Sequence, residues 1–305
     1  MRVAFISTSF ILSSFCIAQP QLSQQIDSLQ KIYNKSKADS NYIDILILKA
    51  NTVLYTDYDL AEKFADSAIA LAFKNQLPKK KAASCRLKGV ILTNKGELVK
   101  ALEYTYQALK EAAPINNKLF NAGIYNNIGT IHLRIGKYDS AIYYFKRLFH
   151  TAKEENALHE QAIACANLTG IYLNTDSLQQ NKEYAKIGLG ISIPQKMDNI
   201  SSYILFNLAS GYLKRNNSDS AMTLMQQSLQ YANNAKLMDA SAQAMLGLSN
   251  IYLAKKQYTL AITTGEQALE QAKSFNALNF QEQVLPLLSD AYDSIGNKGK
   301  ALLYY

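Results

Sequence analysis

The chain has 305 residues, 48% hydrophobic and 18% charged, with 13 Gly, 5 Pro, 3 Cys, no Trp and a formal charge of +8. That hydrophobicity excludes a disordered chain, the scarcity of Gly and Pro excludes collagen or a low-complexity linker, and the scarcity of Cys excludes a disulfide scaffold. What remains is an ordered protein, either about two domains at roughly 100–200 residues each or an array of smaller stacked units.

Residues 1–18 read as a secretory signal peptide. Met1-Arg2 supplies a short positive start, Val3 to Ile17 is an uncharged apolar and Ser-rich run, and Ala18 is a small residue suited to cleavage. The run is shorter than the roughly 20 residues a membrane-spanning helix needs. A lipid anchor on Cys16 is a rival reading, weakened by bulky Phe15 where such a site wants a small residue; an uncleaved anchor is another. The expected product is exported, periplasmic or extracellular. Residues 19–36 are predicted to form an N-terminal capping helix, because Leu22, Ile26, Leu29 and Ile32 fall at helical spacing.

From residue 37 to 305 a 40-residue register repeats without gaps. Ala61, Ala101, Ala141, Ala221, Ala261 and Ala301 share one column, and only Asn181 breaks it. Nine residues before that column stand Thr52, Leu92, His132, Tyr172, Tyr212, Tyr252 and Tyr292. Three earlier comes a mostly small column, Lys49, Gly89, Gly129, Thr169, Ala209, Ser249 and Ser289. Apolar spacing within each unit is helical, as in Leu248, Ile251, Tyr252 and then Tyr258, Ala261, Ile262, so two helices per unit are predicted. Short polar breaks such as Arg134-Ile135-Gly136-Lys137 separate the two, and longer breaks near Pro114 and Pro194 separate one unit from the next. Small residues belong where helices approach most closely. Cys85 and Cys165 share one apolar column two units apart and are expected to be unpaired core residues.

The order Gly129, His132, Gly136, Tyr138, Ala141, Phe145 resembles the tetratricopeptide repeat (TPR) family, from about Tyr42 to Tyr305. The family unit is about 34 residues, so this chain is similar to its long-repeat branch. The resemblance implies an all-α fold, a right-handed superhelical solenoid of antiparallel helix pairs, here six full repeats and a truncated seventh. Its last helix starts near Lys298, and Leu302 to Tyr305 are not the polar cap a solenoid needs. A signal peptide followed directly by such repeats also resembles the sensory, extracytoplasmic part of bacterial histidine kinases and regulators. The alternative expectation is therefore the front of a longer, membrane-bound sensor with its output domain beyond residue 305.

Catalysis, cofactors and metal are not expected. His132, His150 and His159 have no ligand company, and H-E-x-x-H, C-x-x-C and G-x-S-x-G are missing from the sequence. Gly296 to Lys300 mimics part of a phosphate loop, but Ser294 and Ala301 stand where Gly and Ser or Thr are required. Binding is better supported. In a stacked array the first helix of each unit lines a concave groove, where one column reads Ile47, Leu87, Asn127, Asn167, Asn207, Gly247, Leu287. A carboxamide both donates and accepts, so spaced Asn side chains suit the backbone of an extended peptide. Peptide-binding members of the resembled family use Asn there. Arg86, Asn126, Arg134, Lys214 and Asn250 fall in columns facing the same groove, which favours an acidic or carboxylate-bearing segment. Between Lys74 and Lys100 eight basic residues face Glu97 alone, so nearly all the net charge lies in that stretch. It lacks interleaved aromatics, which together with the leader argues against nucleic acid. The expected partner is a protein or peptide, with membrane contact only through an uncleaved leader or a region beyond residue 305.

Overall fold

In the computed structural model of the protein, the described residues are Gln24, Asp27, Ser28, Gln30, Lys31, 39–274 and 277–305. The leader and most of the predicted capping helix lie outside them; the five described residues of 24–31 are helical. Fourteen α-helices follow among the described residues, and no strand. They are α1 (Asp39–Val53), α2 (Tyr58–Lys74), α3 (Pro78–Lys95), α4 (Leu98–Ala112), α5 (Lys118–Ile135), α6 (Tyr138–Glu154), α7 (Leu158–Asn174), α8 (Leu178–Ser192), α9 (Asp198–Lys214), α10 (Ser218–Asn234), α11 (Met238–Ala254), α12 (Tyr258–Ser274), α13 (Leu278–Ser294) and α14 (Lys298–Tyr304). Odd-numbered helices open each repeat and are its A helices; even-numbered ones close it and are its B helices. The predicted two-helix unit is present throughout, and every B helix starts 40 residues after the last.

The joints explain that regularity. Most helices end on a residue in the left-handed region: Gln76, Gly96, Asn116, Gly136, Asn156, Asp176, Lys196, Asn216, Lys236 and Lys256, at intervals of 20, and Gly296, 40 residues on. The following amide then donates back to a carbonyl five residues earlier, as in Lys137 to His132, Asn217 to Tyr212 and Gln257 to Tyr252, which satisfies orphan carbonyls at the helix end. The turn is therefore the same within a repeat and between repeats. The joints at Pro114 and Pro194 are the longest, as expected; the other junctions between units are as tight as those inside them. Glycine is used at just three of these positions, so the array tolerates the cost that a side chain meets there.

The described residues fall into two compact units, one ending at Ala164 and one running from Cys165 to Tyr305. In each, consecutive helices pack along the chain. Neighbouring A helices also touch (α1 with α3, α3 with α5; α9 with α11, α11 with α13), whereas neighbouring B helices do not. The A helices thus form the inner layer of each unit. The alanine column is fully buried at Ala61, Ala101, Ala141, Ala221 and Ala261, and it faces the small-residue column across each helix pair. A Cβ on Gly129 would lie 2.7 Å from the Phe145 ring, so Phe145, itself fully buried, needs the bare backbone opposite it. In later repeats the same seam carries a hydrogen bond: Ser249 donates to the Ala261 carbonyl at 2.5 Å and Ser289 to that of Ala301 at 2.9 Å. Asn181, the exception to the alanine column, runs the bond the other way, from its amide to the Thr169 carbonyl at 2.8 Å. Cys85 and Cys165 are free and buried, and burial pushes each thiol up to about 12.

The basic stretch around α3 has local partners. Lys88 stands in a column occupied elsewhere by Leu48, Ile128, Leu168 and Leu208, and is buried with its ammonium 2.7 Å from both Glu62 and Asp66. Lys95 meets Asp59 and Glu62 at 2.8 and 2.6 Å, Lys80 meets Asp44 at 2.5 Å, and Lys100 meets Glu97 at 2.7 Å. Much of the apparent charge excess is compensated by carboxylates of the first repeat.

Candidate functional site on the A-helix face

The predicted groove residues all lie on A helices, but they are not equivalent. Asn207 is half-buried on α9, and its amide donates to the Ala166 carbonyl and to Thr169 Oγ1, both at 3.3 Å on α7. Gly170 makes room, since a Cβ there would lie 3.3 Å from that amide nitrogen. Asn250 donates to Leu246 one turn back, at 3.1 Å. Arg134 donates to the Thr93 carbonyl and Lys214 to the Leu173 carbonyl at 2.7 Å, each 41 residues earlier. These two cations therefore close the C-terminal ends of the preceding A helices, where the helix dipole favours positive charge. Asn126 and Asn167 are buried.

Asn127 and Arg86 differ from the rest. The Asn127 amide nitrogen on α5 is buried without a hydrogen-bond partner, an arrangement that costs about 1–3 kcal/mol unless a ligand or water meets it. Arg86 on α3 crosses to α5, stacking 5.6 Å above Phe120, with Nη1 only 3.0 Å from where a Gly123 Cβ would stand, closer than ordinary van der Waals contact, so the bare glycine makes room for the guanidinium. Among the described residues no carboxylate pairs with it, and burial lowers its pKa. Gly123 and Asn127 are one turn apart, so Arg86 reaches the same face of α5 that carries Asn127. Asn94 on α3 adds a second buried amide nitrogen without a partner. Arg86 and Asn127, donors on one face of α5, suit an anionic, oxygen-rich ligand. Among the described residues no group of three or more His, Cys, Asp or Glu could hold a metal, and no helix is long and apolar enough to cross a membrane.

Sequence reading missed a second cluster, between α4, α5 and α6. His132 stacks on Tyr144 with centroids 5.8 Å apart, its Nε2 lies 3.1 Å from the Tyr106 hydroxyl, and its Nδ1 is buried without a partner. The same A-to-B stack recurs as Tyr172 on Tyr184 and Tyr292 on Tyr304. Burial, with Lys137 nearby, lowers the His132 pKa. A group whose folded pKa lies below its unfolded value of about 6.5 contributes full stability above that pH and loses it as pH falls. We expect the thermal midpoint to drop between pH 7 and 5 more in the native chain than in His132→Tyr, which installs the residue used at this column in four later repeats. Equal slopes by differential scanning fluorimetry would refute it.

The tetratricopeptide repeat family model matches residues 206–277. No curated protein matches the chain. Among solved structures it is similar to a Rap protein complexed with Competence and Sporulation Factor, at 9% identity and a TM-score of 0.66, covering 94% of this chain and 96% of that one. It is similar also to NprR in complex with its cognate peptide NprX, at 15% identity and a TM-score of 0.62 over 94% and 87% of the two chains. BtubC from P. vanneervenii aligns at 17% identity and a TM-score of 0.61, over 73% and 92%. At these identities the likeness is one of fold.

Proposed function

We propose that this chain, a tetratricopeptide-repeat solenoid, is a non-catalytic scaffold that is exported and holds an extended, carboxylate-bearing peptide against its A helices. The observation that carries this is the closeness of Asn127, an amide donor buried without an acceptor, to Arg86, a cation that no carboxylate meets among the described residues; Asn94 adds a second such amide about two turns further along α3. A peptide backbone carbonyl would satisfy Asn127, and a carboxylate beside it would complete Arg86. The similar solved structures, a Rap protein complexed with Competence and Sporulation Factor and NprR in complex with its cognate peptide NprX, support the reading by likeness of fold. Anchoring is centred on the second and third repeats, because Asn207, Asn250, Arg134 and Lys214 already serve neighbouring helices.

The test is a fluorescence-anisotropy screen of the chain from Gln19 onward against a library of extended peptides with and without acidic residues. Hits should be enriched in Asp and Glu, and Asn127→Ala should weaken them by at least tenfold, about 1.4 kcal/mol. Asn250→Ala should leave them within about twofold, about 0.4 kcal/mol. Affinity unaltered by Asn127→Ala, or hits without acidic bias, would overturn the assignment.

A further inference from the structure

The outer face of α6 differs from that of the other B helices. Tyr143, Lys146, Arg147, His150 and Lys153 fall within one side of the helix, and no acidic residue occurs between Asp139 and Glu154. At the same columns α10 carries Thr223, Gln226, Gln227 and Gln230, and α12 carries Glu266 and Glu270. Lys63, Lys110, Lys186 and Lys273 are single lysines at these columns in α2, α4, α8 and α12, so what is local to α6 is the clustering of three cations on one face. None of Lys146, Arg147 and Lys153 forms an ion pair among the described residues, while Glu154 and Glu155 at the helix end are held by Lys118 at 3.1 and 3.5 Å.

The patch is also built. Arg147 stacks 4.2 Å above the Tyr125 ring and donates to the Tyr125 hydroxyl at 2.7 Å, with the Tyr143 ring 5.8 Å away. Tyr144 joins the rings into one surface, 5.1 Å from Tyr143 and 6.3 Å from Tyr106, with its hydroxyl donating to that of Tyr106 at 3.2 Å. Tyr143 is 56% exposed and Tyr106 40% exposed. A guanidinium fixed in place by stacking loses little freedom on meeting a carboxylate, and exposed Tyr beside Arg is the composition of energetic centres in protein interfaces. Asp139 lies about one turn before Tyr143 on α6. The cations span only about two to three helical turns, about 11–15 Å, too short to track a polyanionic backbone but matched to a compact acidic segment.

We propose that the outer face of α6, centred on Arg147 and Tyr143, is a second docking surface, and that its partner is an acidic segment of another protein. It is independent of the A-helix site. The full chain would be titrated at low salt with a fluorescent peptide of alternating Glu and Leu, with anionic phospholipid vesicles, and with single-stranded oligothymidylate. We expect the peptide to bind and Lys146→Glu/Arg147→Glu to weaken it at least tenfold, with Lys79→Glu, an exposed and unpaired lysine elsewhere, unchanged within twofold. Arg147→Lys, which keeps the charge but not the stacked plane, should fall in between. An equal loss in Lys79→Glu, no peptide binding, or binding of vesicles or oligonucleotide in preference to peptide would each overturn the proposal.

Discussion

Replacing Phe145 by Ala will destabilise the array by about 3–5 kcal/mol, the range for emptying a fully packed aromatic site. Phe145 is fully buried on α6 and lies directly over Gly129 of α5. The closeness of that contact sets up a sharper test. In the native chain Gly129→Ala should destabilise by about 1–2 kcal/mol, because the added methyl meets ring carbons at 2.7 and 2.8 Å and overpacking outweighs the roughly 1 kcal/mol helix preference for Ala. In the Phe145→Ala background the ring is gone and only the preference remains, so the same change should become stabilising. Urea denaturation of the two single variants and the double variant reads the sign directly. A Gly129→Ala effect of one sign in both backgrounds would mean that the ring and glycine are not coupled.

Removing Glu62 and Asp66 together, as Ala, should cost about 3–5 kcal/mol, whereas Lys88→Leu should change stability by less than about 1 kcal/mol. The asymmetry follows from burial. The Lys88 side chain is only 5% exposed, so stripping its carboxylates leaves a desolvated cation; Glu62 and Asp66 are 23% and 54% exposed and can turn to water when the lysine goes. Leu is also what this column holds in the first, fourth and fifth repeats, at Leu48, Leu168 and Leu208. Adding Lys88→Leu to the double variant should therefore recover most of the loss. For Glu62 desolvation pushes the pKa up, but bonds to Lys88 and Lys95 outweigh it and leave it lowered. That contribution is present above the unfolded pKa of about 4.3 and disappears as pH falls through the folded one. Equal penalties for the acidic double variant and for Lys88→Leu would contradict this account.

Helix pairing and the small-residue seam were legible in the sequence because both depend on spacing, and spacing survives without coordinates. The joints were less so: their left-handed positions carry Gln76, Lys196 and Lys256 as readily as Gly96, so glycine marks only some of them. Partnership was the main thing hidden. Lys88 bonds to residues 22 and 26 positions away, on a different helix, and Arg134 and Lys214 reach back 41. From columns alone these cations read as free charge on a surface. The Asn column shows the same limit, since Asn127 and Asn207 share a register while only Asn207 has a neighbour placed to take up its amide. The cluster around Tyr144 could have been suspected from the run Tyr143-Tyr144-Phe145-Lys146-Arg147, which is the most aromatic and basic of the B helices.

The 20-residue spacing of left-handed joints sets a rule for how such a chain can change length. One residue added inside a helix turns everything after it by about 100° before the next joint is reached, which carries the small-residue column off the seam and puts side chains where Phe145 and its counterparts need bare backbone. No slack loop exists in most joints to absorb the error. Growth or shortening without a scar is thus possible only in whole steps of one helix pair, 40 residues at a time. The gapless register is what remains when every other length of insertion or deletion has been rejected by packing.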